Sequence, residues 1–182
     1  MKKILFHGTG ESGFRGIVGE GFGCYNTIWN CSDPNYTYFY ELEWWAEHEG
    51  STELEIIRRA FESAAVAAAS NRQLSNRIHV LKIEIDDSLI EEDDSCENTD
   101  GCVKVDNETL NASNLKVEWY SADYYPNLWP LYMNALMKNM YISLRPSVFE
   151  TRVLEQLPFV EEMYDFDVEY HGVLQTEYKQ AI

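Results

Sequence analysis

The chain reads as a single α+β domain spanning residues 1–182, and three observations carry that reading. Short apolar or alternating segments recur at residues 2–7, 78–85 and 115–120, the length and pattern of strands. One long stretch, residues 52–70, carries apolar side chains at helical spacing instead. The connections between these segments are irregular and lack the rhythm of a doubly wound sheet. Composition agrees. A hydrophobic fraction of 45% and an aromatic fraction of 14% belong to a chain that builds a core. A chain of this length buries roughly 70% of its unfolded surface.

The elements follow in order. Lys2-Lys3-Ile4-Leu5-Phe6-His7 is a strand that runs into the turn Gly8-Thr9-Gly10. Residues 11–19 are a turn and a short helix, with Phe14, Ile17 and Val18 at helical spacing. Residues 24–30 are a second strand. A helix then starts at Asp33-Pro34, with Ser32 or Asp33 as cap and Pro34 in its first position. It would carry Tyr36, Tyr40 and Trp44 on one face. Thr52 and Glu55 form a capping box for the long helix, whose stripe is Leu54, Ile57, Phe61, Ala64, Ala65 and Ala68. Ile78–Ile85 alternates and is a strand. An acidic loop insertion at about 86–114 follows, then a strand at Leu115–Tyr120. Leu128–Met140 and Ser147–Leu157 are helices, and Met163–Leu174 is the last strand.

Charge narrows the partners. The formal net charge is −17, which disfavours nucleic acid, because phosphate binding needs Lys and Arg. Residues 86–108 hold ten acids against one base, Lys104. A solvated acidic surface explains that stretch, and so does docking on a basic protein. No apolar run is long enough to cross a membrane. The run behind Met1-Lys2-Lys3 is shorter than a secretory signal needs, so a cytoplasmic location is expected. Cys24, Cys31, Cys96 and Cys102 lack the spacing of a zinc or redox site, and reduced thiols with no metal are expected.

Three segments stand out chemically. His7 ends an apolar strand and meets Gly8-Thr9-Gly10, where a ligand has room to approach the backbone. This is neither a dinucleotide fingerprint nor a phosphate loop. Trp29 to Tyr40 packs aromatics around a polar turn; such rings fill a core, or stack on a planar ligand at about 1 kcal/mol each. Glu161 to Gly172 is an acidic strand whose alternation places Asp165, Asp167 and Glu169 on one face. A solvated edge strand accounts for that face, and so does a carboxylate set against a developing positive charge.

Strand-His7-Gly8-Thr9, a short helix with Ile17, Gly21-Phe22, an aromatic-bearing strand, Ser32 and the Tyr-rich segment resemble the amino-terminal half of the ADP-ribosyltransferase fold. The likeness is to its poly(ADP-ribose) polymerase and diphtheria-toxin branch. Glu169-Tyr170-His171-Gly172 resembles the last strand of small phage-encoded transferases, some of which inactivate CRISPR complexes. The resemblance covers residues 4–45 and 160–173. It implies a split antiparallel sheet with flanking helices, NAD as substrate and no metal. It implies that His7 bonds the ribose hydroxyls, that the Gly8 backbone bonds the nicotinamide amide, and that Thr9 and Ser32 line the site. Tyr36 or Tyr40 would stack on nicotinamide. Trp29 stands where the family has its second catalytic residue, a tyrosine. The acid would be Glu169, then Asp167, then Glu162.

The chemistry fits those residue types. Breaking the nicotinamide–ribose bond builds an oxocarbenium ion, and a fixed carboxylate stabilises it. The diphosphate would fall to Arg15, Arg72, Arg77, Arg145 or Arg152. The expectation is an NAD-dependent mono-ADP-ribosyltransferase acting on a basic protein such as a nucleic-acid-binding one, in a host cytoplasm if phage-encoded. The alternative is a non-enzymatic acidic decoy that blocks such a protein through residues 86–108. An RNA 2′-phosphotransferase shares the fold but needs more bases than this chain has.

Overall fold

Nine residues, Lys2–Gly10, form strand β1, and everything else is placed against it. The structure, a computed structural model, describes residues 1–23, 33–70, 73–94, 100–124 and 166–175. In chain order the elements are β1, α1 (Glu11–Glu20), β2 (Tyr36–Glu41), α2 (Leu42–Glu49), α3 (Glu53–Ser70), β3 (Arg77–Asp86), β4 (Glu91–Glu92), β5 (Cys102–Asp106), α4 (Asn107–Ala112), β6 (Val117–Asp123) and β7 (Glu169–Val173). The strands form one seven-stranded sheet in the order β4-β5-β2-β1-β3-β6-β7, with every neighbouring pair antiparallel. This is the mixed α+β architecture the sequence predicts.

Period-two alternation sorts the core into two clusters, one on each face. Phe6, Ile78, Val80 and Ala122 face α3, which covers them with Ile56, Ile57, Ala60, Phe61, Ala64, Ala65 and Ala68. Leu5, Phe39, Leu81, Ile83, Ile85, Val103, Val105 and Val117 face the other way, onto Phe14 and Ile17 of α1 and Leu110 of α4. The capping box forms: Glu55 Oε2 accepts from the Thr52 amide at 2.7 Å, and Thr52 Oγ1 accepts from the Glu55 amide at 3.4 Å. The expected apolar stripe packs as read at Ile57, Phe61, Ala64, Ala65 and Ala68, with one exception. Leu54 is 47% exposed, and Ile56 and Ala60 take its place.

The largest correction concerns Tyr36–Glu41. The expected helix at Asp33-Pro34 is instead a turn followed by a strand. Asp33 Oδ1 accepts from the Asn35 amide at 2.9 Å, so the side chain closes a turn rather than capping a helix. Tyr-Thr-Tyr-Phe-Tyr is aromatic and β-branched, which favours a pleated surface. A spacing of four residues is even, so Tyr36 and Tyr40 share a strand face as readily as a helix face. The helix begins only at Leu42 and carries Trp44. The expected strand at 24–30, the helices at 128–140 and 147–157, and residues 163–165 lie outside the described residues.

The acidic insertion is not a plain loop. It holds the β4–β5 hairpin and α4, and β5 extends the sheet beside β2 from Tyr36↔Asp106 to Tyr40↔Cys102. Lys104, the lone base of the stretch, bonds Asp94 and sits 5.0 Å from the centre of the Tyr36 ring. The Tyr36 hydroxyl bonds Glu91 of β4 at 3.2 Å. Lys104 therefore joins β5 to β2 and to Asp94 just past β4, and the Tyr36–Glu91 bond closes the link to β4. Lys104→Met is expected to loosen β4 while leaving the core intact. Limited proteolysis should cut near Glu91–Glu92 faster in the variant, with an unchanged thermal midpoint. Among the described residues, no helix is long and apolar enough to cross a membrane.

Candidate functional site

The sheet comes apart at His7. The ladder between β1 and β2 consists of two pairs, Leu5↔Glu41 and Phe6↔Tyr40. On its other edge β1 pairs with β3 along its whole length, Lys2↔Asp86 to Gly10↔Ile78. Beyond Phe6, β1 and β2 therefore part. The half-buried His7 side chain reaches across, and its Nδ1 donates to the Tyr38 carbonyl at 2.9 Å. A carbonyl only accepts, so the proton sits on Nδ1 and Nε2 keeps its lone pair. Burial pushes the imidazole below its ordinary value, and the bond to Tyr38 opposes this only in part. His7 is neutral at pH 7, with an acceptor on Nε2.

Gly8 faces the same gap with its backbone. The Ile4 amide bonds the Glu43 carboxylate of α2 at 3.3 Å, away from β3. Backbone groups alternate sides along a strand, so those of Gly8 point the same way. They have no ladder partner there. The missing side chain of Gly8 has a different cause. A Cβ would stand 1.8 Å from the Ala60 carbonyl oxygen, because α3 crosses β1 at that residue. The glycine is a packing residue first and exposes backbone second.

The other expected site residues divide. Thr9 is buried under α1, where a Cβ on Gly13 would come within 2.2 Å of its hydroxyl. It supports the helix and does not line an open site. The Tyr40 hydroxyl bonds Ser63 at 2.5 Å and its ring leans on Trp45, so it belongs to the core. Tyr36 lines an open hollow of about 500 Å³ with Asp33, Asn35 and Asn107. Trp29, Ser32 and Glu162 lie outside the described residues. The thiol of Cys102 is free, and burial pushes it up to about 11, which leaves it unreactive at neutral pH.

Neither Glu169 nor Asp167 is brought to His7. Glu169 lies on β7, three strands from β1, or about 14 Å at ordinary strand spacing. It bonds Arg77, which also holds Asp123 at 3.2 Å. Asp167 lines a separate hollow of about 460 Å³ with Leu54 and Arg58 of α3. Over the described residues the strand begins only at Glu169, although Phe166 and Val168 turn inward while Asp167 and Glu169 are exposed. Arg15 and Arg77 are both committed to carboxylates.

Sequence reading missed a second polar group on the α1 face. His79 of β3 is 4% exposed, stacks on Phe14 at 4.0 Å, and meets Glu11 Oε2 through Nε2 at 2.6 Å. Across Trp119, His171 stacks at 4.0 Å and bonds the Ser121 hydroxyl at 2.6 Å. Only the register Thr9↔His79↔Ser121 assembles it, and no spacing in the sequence reveals that register. A histidine inside the apolar run Ile78–Leu81 was the one available signal. Among the described residues, no group of three or more His, Cys, Asp or Glu side chains is arranged to hold a metal ion. Comparison of the chain with protein-family models, curated proteins and solved structures finds no match.

Proposed function

We propose that the protein is an NAD-dependent mono-ADP-ribosyltransferase that modifies a protein, with nicotinamide and its ribose held in the gap between β1 and β2. One observation carries the reading: at His7 the two strands part, and a neutral imidazole and the Gly8 backbone face the opening. The Gly8 N–H and C=O match a carboxamide, which needs one donor and one acceptor. The Nε2 lone pair of His7 accepts from a ribose hydroxyl. Both contacts hold the ring as the glycosidic bond lengthens, which positions the reacting centre. An acidic protein surface suits a basic target.

The acid that faces the oxocarbenium charge is not Glu169 on this reading, since its carboxylate is tied to Arg77 far from His7. Glu169→Gln is expected to leave NAD turnover within about fivefold of wild type, the scale of an exposed ion pair. A loss of about 100-fold would return the acid to β7 and move the site with it. The activity itself is read with labelled NAD in a lysate: labelled protein bands and free nicotinamide are expected together. Absence of both, with purified protein that does not bind NAD, contradicts the proposal.

The acidic decoy is the second reading, and the exposed edge strand favours it. Glu91 and Glu92 stand exposed at the sheet's outer strand, held by the hairpin rather than dispersed in a loop. A decoy would bind its partner equally well with His7 replaced.

A further inference from the structure

His79 is 4% exposed on the α1 face, and its bonds are unequal. Its Nε2 reaches Glu11 at 2.6 Å, while its Nδ1 is buried with no hydrogen-bond partner. Glu11 is the first residue of α1. Its second oxygen accepts from Arg15 Nε at 2.8 Å, and its amide rests on Gln73 Oε1 at 2.7 Å. The start of α1 is thus pinned to the sheet through one carboxylate and one imidazole. Phe14, one turn on, lies flat against the same ring at 9°. The Ser121 hydroxyl, next to His79 in register, bonds His171 Nε2 at 2.6 Å.

We infer that His79 is a proton-operated latch for α1: neutral, it donates from Nε2 to Glu11 and seats the helix; protonated, its Nδ1–H has no acceptor until the helix lifts and water enters. The carboxylate of Glu11 works against lifting, since it attracts a charged ring. Arg77 on the same strand and His171 on β7 repel one, and Arg15 neutralises part of the Glu11 charge. Burial outweighs the attraction, so the seated imidazole stays below its ordinary value. Burial alone would raise the Glu11 carboxyl, but its bonds to His79 and Arg15 hold it low, so Glu11 titrates in a separate, more acidic range.

The sign follows. The seated helix prefers neutral His79, and the lifted helix accepts the proton at the ordinary value. Seating is complete above about pH 6.5 and is lost as the pH falls through the lowered value. α1 leaves β1 directly after Gly10, so lifting loosens the chain that bears His7 and Thr9. The latch needs no NAD, and its test is separate from that of the proposed activity.

Backbone hydrogen exchange of residues 12–20, corrected for intrinsic chemistry, reads the latch with α3 as internal reference. Opening of α1 is expected to rise up to about tenfold per pH unit below about pH 6.5, with α3 unchanged. His79→Gln keeps a donor for Glu11 and cannot titrate, so its pH dependence should vanish. A wild-type helix whose exchange ignores pH, or an equal slope in the variant, overturns the latch. Should His79→Gln fail to fold, the wild-type imidazole is followed by nitrogen NMR. Titration of His79 below the ordinary value in step with α1 shifts supports it, and titration without them overturns it.

Discussion

Gly8→Ala is expected to cost about 3 kcal/mol or more, enough to remove the cooperative unfolding transition in a marginally stable domain. A Cβ at Gly8 would stand 1.8 Å from the Ala60 carbonyl oxygen, 2.7 Å from its carbon and 3.2 Å from the Ala64 amide nitrogen. All three are backbone atoms of α3, so no side-chain rotation relieves the contact. Either α3 withdraws from β1 or β1 withdraws from β3, and the core of Phe6, Ala60, Phe61 and Ala64 opens. Gly19→Ala is the matched control. It sits in α1 with nothing within 4 Å of its Cβ position. It should gain up to about 1 kcal/mol from helix propensity. Urea unfolding of the two variants separates a packing glycine from a neutral one.

His7→Ala has the opposite profile: a small cost in stability and a large one in function. The lost bond to the Tyr38 carbonyl is worth about 1 kcal/mol. On the proposed reading, nicotinamide release falls about 100-fold or more, because the ribose loses the acceptor that holds it in the reacting geometry. Glu169→Gln changes little by comparison, and the contrast between the two locates the site. The pH profile gives a further check. His7 must be unprotonated at Nε2, and burial keeps it so to below about pH 6.5. NAD turnover should therefore persist below the ordinary imidazole range and fall only at lower pH.

The elements that rest on local chemistry were legible. Thr52 and Glu55 announced α3, the Ile78–Ile85 pattern announced β3, and Phe14 and Ile17 announced α1. Tyr36–Glu41 was misread because even spacing serves helix and strand alike, and only the ladder to β5 decides. The Gly8 vacancy was visible as a glycine but not as a crossing of α3, which depends on tertiary packing. The strand bearing His7 was legible but not its end: the expected turn Gly8-Thr9-Gly10 continues β1, which pairs with β3 as far as Gly10↔Ile78, so His7 lies inside the strand. The partner of His7, a backbone carbonyl of β2, carries no residue-type signature at all. Glu169 shows the converse. Its acidic neighbourhood suggested chemistry, but register gave it Arg77 and an edge strand three places from β1. His79 was hidden by the same cause. Its environment comes from α1, β1 and β6, which are distant in the chain.

The most direct measurement of the central claim is nitrogen NMR of the His7 imidazole during titration with NAD. The account predicts that Nδ1 stays protonated on the Tyr38 carbonyl while Nε2 shifts as it accepts a hydroxyl from the ligand. NAD binding that perturbs other residues and leaves both His7 nitrogens unmoved would contradict it.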